Sequence, residues 1–246
     1  MADTNSTPAP ASTPKGKHTH PRGDIAQDVI TDVALAKKVN SAAKVPDRLT
    51  ALAARQITAT DTGALDGLIT NVEDTRMPDV VTKKHNARLA TVAEGKAKTA
   101  LDQALDVILN GVKRSYPGDK AQAAAYTIGH LPGERKEFEA DVKSLVARAQ
   151  AATLKGVTPA DCQAVLTALT NWIAADDAQQ AANDLYSTAN NGLRQATNQI
   201  NTSRRDIQYA ADLVWPWDKP DSAPHRLAFG LPPKQKFSAS NVKAPA

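Results

Sequence analysis

Ile25, Val29, Val33 and Ala36 recur as Phe138, Val142, Val146 and Ala149 at a constant offset of 113. Both sets keep the i, i+4, i+8, i+11 spacing that lines one face of an α-helix with apolar side chains. Pro46-Asp47 meets Pro159-Ala160 at the same offset. Further on, Leu101, Ile108, Tyr116 and Pro117 answer Ile200, Ile207, Trp215 and Pro216 at an offset of 99. The endings also correspond, Ile128-Gly129-His130-Leu131-Pro132 against Phe229-Gly230-Leu231-Pro232. Helical periodicity that repeats once predicts an all-α chain of two tandem copies of one antiparallel bundle unit, over residues 23–132 and 133–236.

The offset falls by 14 residues between the two matched blocks, which is two heptads. Seven extra residues in each arm of an antiparallel hairpin would lengthen it without turning either apolar face away. The middle of each unit is therefore expected to be a long helical hairpin, with tips at Met77-Pro78-Asp79 and at 187–192, where Asn190-Asn191-Gly192 supplies a breaker. Each unit reads as three helices, about 24–44, 46–76 and 79–115 in the first and 134–154, 159–187 and 192–214 in the second. A break near Thr60-Asp61 and Ala175-Asp176 would make it four. Pro46 and Pro159 suit a first turn, and Thr158 with Asp161 suits a cap. Pro117 and Pro216 close the third helices.

Alanine is the commonest residue, at 45, while aromatics are only 4%, so the core must come from small side chains on closely approaching helices. The formal charge of +4 sits in the ends: residues 1–22 carry +2 and residues 219–246 carry +4, leaving −2 between them. Net charge thus gives no basic face to the expected bundle. Residues 1–22 and 237–246, rich in Ser, Thr, Pro and Ala, are too poor in apolar groups to offset the entropy of ordering and read as disordered tails. No cleaved-signal pattern and no 18-residue apolar run is present, so the chain is expected to be cytoplasmic, with no membrane partner.

Candidate chemistry is sparse. A single cysteine, Cys162, excludes an intramolecular disulfide, and its register with Leu49 marks it as a buried structural thiol. His18 and His20 lack further ligands, His85 stands among Lys83, Lys84 and Arg88 on a solvated face, and His130 and His225 are not equivalent in the repeat. Asp102/Asp106 and Glu137/Asp141 are spaced i, i+4, yet no ExxH partner completes a di-metal site. No phosphate-binding, nucleophile-elbow or zinc-protease motif occurs. The expectation is a chain without cofactor, metal or catalytic residues, hence not an enzyme.

The scarce aromatics cluster, and they are the candidate site: Tyr116 and Tyr126 in the first unit, Trp215, Trp217 and Phe229 in the second. They read as a plug over the end of each bundle, with a partner-binding patch as the alternative. The functional expectation is a helical scaffold or interaction module with a protein partner or self-association. The alternative is weak, non-specific nucleic-acid binding through the basic tails, with Lys113-Arg114 and Arg204-Arg205 as further small patches. A membrane-active helical protein comes third, because the expected tips carry Asp79, Lys83 and Lys84 or Asn-rich polarity.

Overall fold

A computed structural model describes residues 25–128 and 135–238. Among these residues every regular element is helical. In chain order they are α1 (Gln27–Ala43), α2 (Pro46–Ala53), α3 (Ala59–Thr70), a π-helical stretch (Asn71–Arg76), α4 (Met77–Ser115), α5 (Lys120–Ala124), α6 (Arg135–Ala151), α7 (Pro159–Val214), a single 3-10 turn (Pro220–Ser222) and α8 (Ala223–Ala228). The expected tails at 1–22 and 239–246, and the Gly129–Pro132 part of the first ending, lie outside the described residues.

The expected hairpins are not formed. From Ala59 the helix runs through the π stretch and α4 to Ser115 without a turn, and α7 runs unbroken for 56 residues. At the first expected tip, the Met77 N–H bonds back to the Val72 carbonyl, five residues earlier. That wide turn accommodates Pro78, which has no N–H and whose ring would clash in a tight helix. At the second, Asn190, Asn191 and Gly192 stay helical, the cost of roughly 1 kcal/mol for Gly being carried by the packing of α7 on its neighbour. α4 and α7 instead form the main contact of the molecule, lying antiparallel along rods of about 84 Å, at 1.5 Å per residue.

The two rods are nearly equal, since α3, the π stretch and α4 contribute 12, 6 and 39 residues against 56 in α7. The longer middle expected of the first unit is therefore absent. Its extra residues lie before the rod, as α2 and the following turn, which takes Gln56 to a φ of 65°. That turn breaks the expected 46–76 helix a few residues before Thr60-Asp61; nothing breaks α7 at Ala175-Asp176. Pro46 and Pro159 do open their helices, and α4 and α7 do stop just before Tyr116-Pro117 and Trp215-Pro216.

Straight rods change which residues share a core. One core joins α1, Leu52 of α2, Leu65 and Ile69 of α3 and Val72 to Leu193, Ile200, Ile207 and Ala211 of α7, with Phe229, Leu231 and Phe237 beyond it. The other joins Leu101, Leu105, Ile108 and Val112 of α4 and Tyr126 to Val142, Leu145 and Val146 of α6 and Cys162, Val165, Leu169 and Trp172 of α7. Each core draws on both halves of the sequence. Phe237, expected to begin a polar tail, is buried and sets its ring edge-on against Tyr209 at 4.7 Å. In the second core Gly111 lets Val157 pack close, since a Cβ there would stand 2.2 Å from Val157 Cγ2 and force that side chain to move.

Candidate functional site

Four of the five aromatic candidates separate into two groups in different cores. Tyr116 and Tyr126 stack at 6.2 Å beside α6, and burial pushes the Tyr126 hydroxyl above its ordinary range, with its bond to Tyr116 adding to the shift. Trp215 stacks on Phe229 at 5.4 Å and on His225 at 4.9 Å, while Arg48 lies 6.0 Å over the Phe229 ring. Phe229 is fully buried, Trp215 is half-buried, and Trp217 is 47% exposed. Trp217 therefore stands apart from the packed pair.

Arg226 holds the C-terminal segment in place, and no sequence signal singles it out from surface cations. Its side chain is wholly buried and ion-paired to Asp212 Oδ1 at 2.6 Å. Its Nη1 donates to the Trp215 carbonyl (2.7 Å), Nε to that of Pro232 (2.8 Å) and Nη2 to that of Gln235 (2.7 Å). One guanidinium thus ties the end of α7 to the two turns that follow α8, using the planar fork of donors that lysine lacks. Asp212 also accepts the Phe237 N–H at 3.3 Å.

A second polar line runs beside it through the same core. Asn201 Nδ2 donates to Asp32 Oδ2 (2.6 Å), Arg204 Nη2 to Asn201 Oδ1 (3.0 Å), Arg204 Nη1 to Gln208 Oε1 (3.0 Å), and Gln208 Nε2 to the Phe229 carbonyl (2.8 Å). Burial lowers the Arg204 guanidinium below its ordinary value, the nearby Asp32 charge opposing that shift. These groups lock α1, α7 and the C-terminal segment in one register, since an unmatched polar atom in a buried network is costly. In the other core, Trp172 Nε1 donates to Glu94 Oε1 (2.8 Å) and packs edge-on against Phe138 at 5.4 Å.

The remaining candidates fall as follows. Cys162 is buried and its thiol is raised by that burial, then by the Asp161 charge. His225 is packed against Trp215, whereas His18, His20 and His130 lie outside the described residues. Among the described residues no group of three His, Cys, Asp or Glu is placed to hold a metal, and no helix is long and apolar enough to cross a membrane.

A groove of about 590 Å³ lies between α1 and the start of α4, lined by Ile25, Ile30, Val33, Met77, Pro78 and Val81, with the Lys37–Glu73 ion pair (2.5 Å) on its wall. It went unseen in the sequence because it needs the straight rod. No family model, curated protein or solved structure matches the chain.

Proposed function

We propose that the chain is a non-enzymatic helical scaffold or interaction module, built from two copies of one unit (23–132 and 133–236) that interlock end to end. Several paired details support the duplication. Gln56 and Gly156 both take positive φ, two residues before Thr58 and Thr158. Asp61 and Asp161 then each accept from the threonine's N–H (2.7 and 2.8 Å) and hydroxyl (2.7 Å in both). Forty-odd residues on, Leu101 and Ile108 are buried as are Ile200 and Ile207. The rods end alike, Tyr116 and Trp215 bonding back to Val112 and Ala211 before Pro117 and Pro216, with Asp-Lys following at 119–120 and 218–219. In this reading the aromatic segments after each rod are plugs, and Phe229 with Leu231 and Arg226 forms the better buried one.

The observation that carries the scaffold reading is the stretch between the cores. Over 81–100 and 173–192 Ala87 is the one buried residue, with α1 beside Val81 and Thr82 at one end and Arg135 of α6 reaching Ile173, Asp176 and Asp177 at the other. The middle of this stretch, about 20 Å of paired helix over 83–96 at 1.5 Å per residue, therefore presents its outer faces to a protein partner, with Leu89, Val92 and Leu185 each more than half exposed. Solvated large apolar groups on a rigid rod mark contact surface more readily than core. Affinity capture with the full chain and with Leu89→Glu/Val92→Glu/Leu185→Glu tests this. The partner should be lost from the variant while the melting temperature is unchanged; identical captures would refute the reading. The interlocking is tested separately by cutting an engineered protease site between Ile128 and Arg135: the fragments should stay together on a sizing column, whereas two self-contained bundles would part.

A further inference from the structure

We propose that the partner of the rod's outer face is a second copy of this chain, with α4 lying antiparallel against its counterpart and the two-fold axis at His85. The inference rests on the reading of that face as contact surface and names what covers it. It starts from a stripe with the same apolar pattern in both directions. Val81 and Leu89 lie four residues to either side of His85, Pro78 and Val92 seven, and Asp74 and Lys96 eleven. Steps of four, seven and eleven keep to one side of a helix. That side is uncovered: Val81 is half-buried and the other six are exposed, Leu89 and Val92 at 55% each, while Val80 and Ala87 are buried on the opposite side.

Two helices packed antiparallel about a two-fold axis match each residue with the one equally far on the other side of the axis, which is the self-complementarity that a closed dimer requires. Apolar then meets apolar, Val81 against the partner's Leu89 and Pro78 against the partner's Val92. Pro78 and Val81 also line the groove beside α1, so the partner's Leu89 and Val92 enter it from the side and each copy covers the other's apolar wall. At the ends of the seam opposite charges meet, Asp74 with the partner's Lys96 and Lys96 with the partner's Asp74. Only His85 meets its own copy. The seam runs about 33 Å at 1.5 Å per residue, and its few large side chains cover less than a standard interface, so the dimer forms reversibly with concentration. The outer edge of α7 carries no such stripe: Asp177, Ala181, Asp184, Thr188 and Asn191, at the same helical spacing, are exposed and small or polar. Assembly therefore stops at two instead of extending side by side.

Sedimentation equilibrium of the full chain should show monomer exchanging with dimer and no larger species. In a full chain carrying His85→Cys, a short bis-maleimide should link two copies, because the residue on the axis meets itself; Cys162 is buried and does not compete. Thr188→Cys, on the outer edge of α7, should link far less. Lys96→Glu should raise the dissociation constant roughly two- to thirtyfold, the worth of two exposed ion pairs, and Lys96→Glu with Asp74→Lys should restore it. A chain monomeric at every concentration, linking no better at His85→Cys than at Thr188→Cys, or a charge swap that restores nothing, would overturn the proposal. Such a failure leaves the contact-surface reading standing where capture is still lost from Leu89→Glu/Val92→Glu/Leu185→Glu, since the face then takes a different protein.

Discussion

Replacing Arg226 by methionine should unfold the C-terminal segment from the first core well before the rest of the chain weakens. The substitution keeps most of the side-chain volume and removes only the charge and the donors. It leaves Asp212, whose side chain is 13% exposed, without its cation, and the Trp215, Pro232 and Gln235 carbonyls without their donor. Deleting one partner of a buried ion pair costs about 3–5 kcal/mol. The three carbonyls add less than their nominal penalty, because Trp215 and Pro232 are only half-buried and Gln235 is exposed, so water can replace the donor. In a chain of this size each kcal/mol moves the midpoint by about 2–4 °C, which predicts a fall of about 6–20 °C. Circular dichroism at 222 nm gives the global midpoint, and tryptophan emission reports Trp215 leaving Phe229. Arg226→Lys should fall between the two, retaining charge but not the fork, and Arg226→Met with Asp212→Asn should recover part of the loss because no buried charge is then orphaned. A midpoint within about 2 °C of the parent, or no recovery in the double variant, would refute the staple.

Phe229→Ala should cost about 3–5 kcal/mol as a fully buried aromatic, whereas Trp217→Ala, at 47% exposure, should leave the melting temperature unchanged; equal effects would remove the plug. Asp61 and Asp161 are held below their ordinary values by their bonds to Thr58 and Thr158. A carboxyl lowered on folding stabilises above its unfolded value and loses that contribution as pH falls through the folded one. Stability should therefore drop on acidification below about pH 4, with a shallower slope in Asp61→Asn/Asp161→Asn, and a slope equal to the parent's would count against the caps. Cys162, buried and with a raised thiol, should resist a thiol reagent in the native chain and react at once in denaturant; fast native labelling would contradict its position in the second core.

Helices at Gln27–Ala43 and Arg135–Ala151, the prolines that open α2 and α7, the cap at Thr158 and the stops before Pro117 and Pro216 were legible in the sequence. Each depends on residues within one or two turns of one another, where spacing, φ restriction and missing N–H groups act locally. The matched spacing behind the proposed duplication was also visible, but the reason for its 14-residue discrepancy was not. The spacing alone put the extra residues in a hairpin, whereas under the proposed duplication they fall in α2, because an insertion shifts the register equally wherever it sits between two matched blocks.

Tertiary structure decided whether the rods bend. Pro78 and Asn190-Asn191-Gly192 disfavour helix by a few kcal/mol at most, which α4 lying along α7 offsets through burial. That single choice puts α4 in a core with α6 and the start of α7, and the end of α7 in a core with α1, which is why Tyr116 and Trp215 lie in different cores and why the groove beside Met77 exists. Arg226 was invisible for the same reason: a cation in a polar stretch reads as solvated until the fold brings one carboxylate and three carbonyls around it. Local chemistry in the sequence determined where helices start and stop, and long-range packing determined which of them meet.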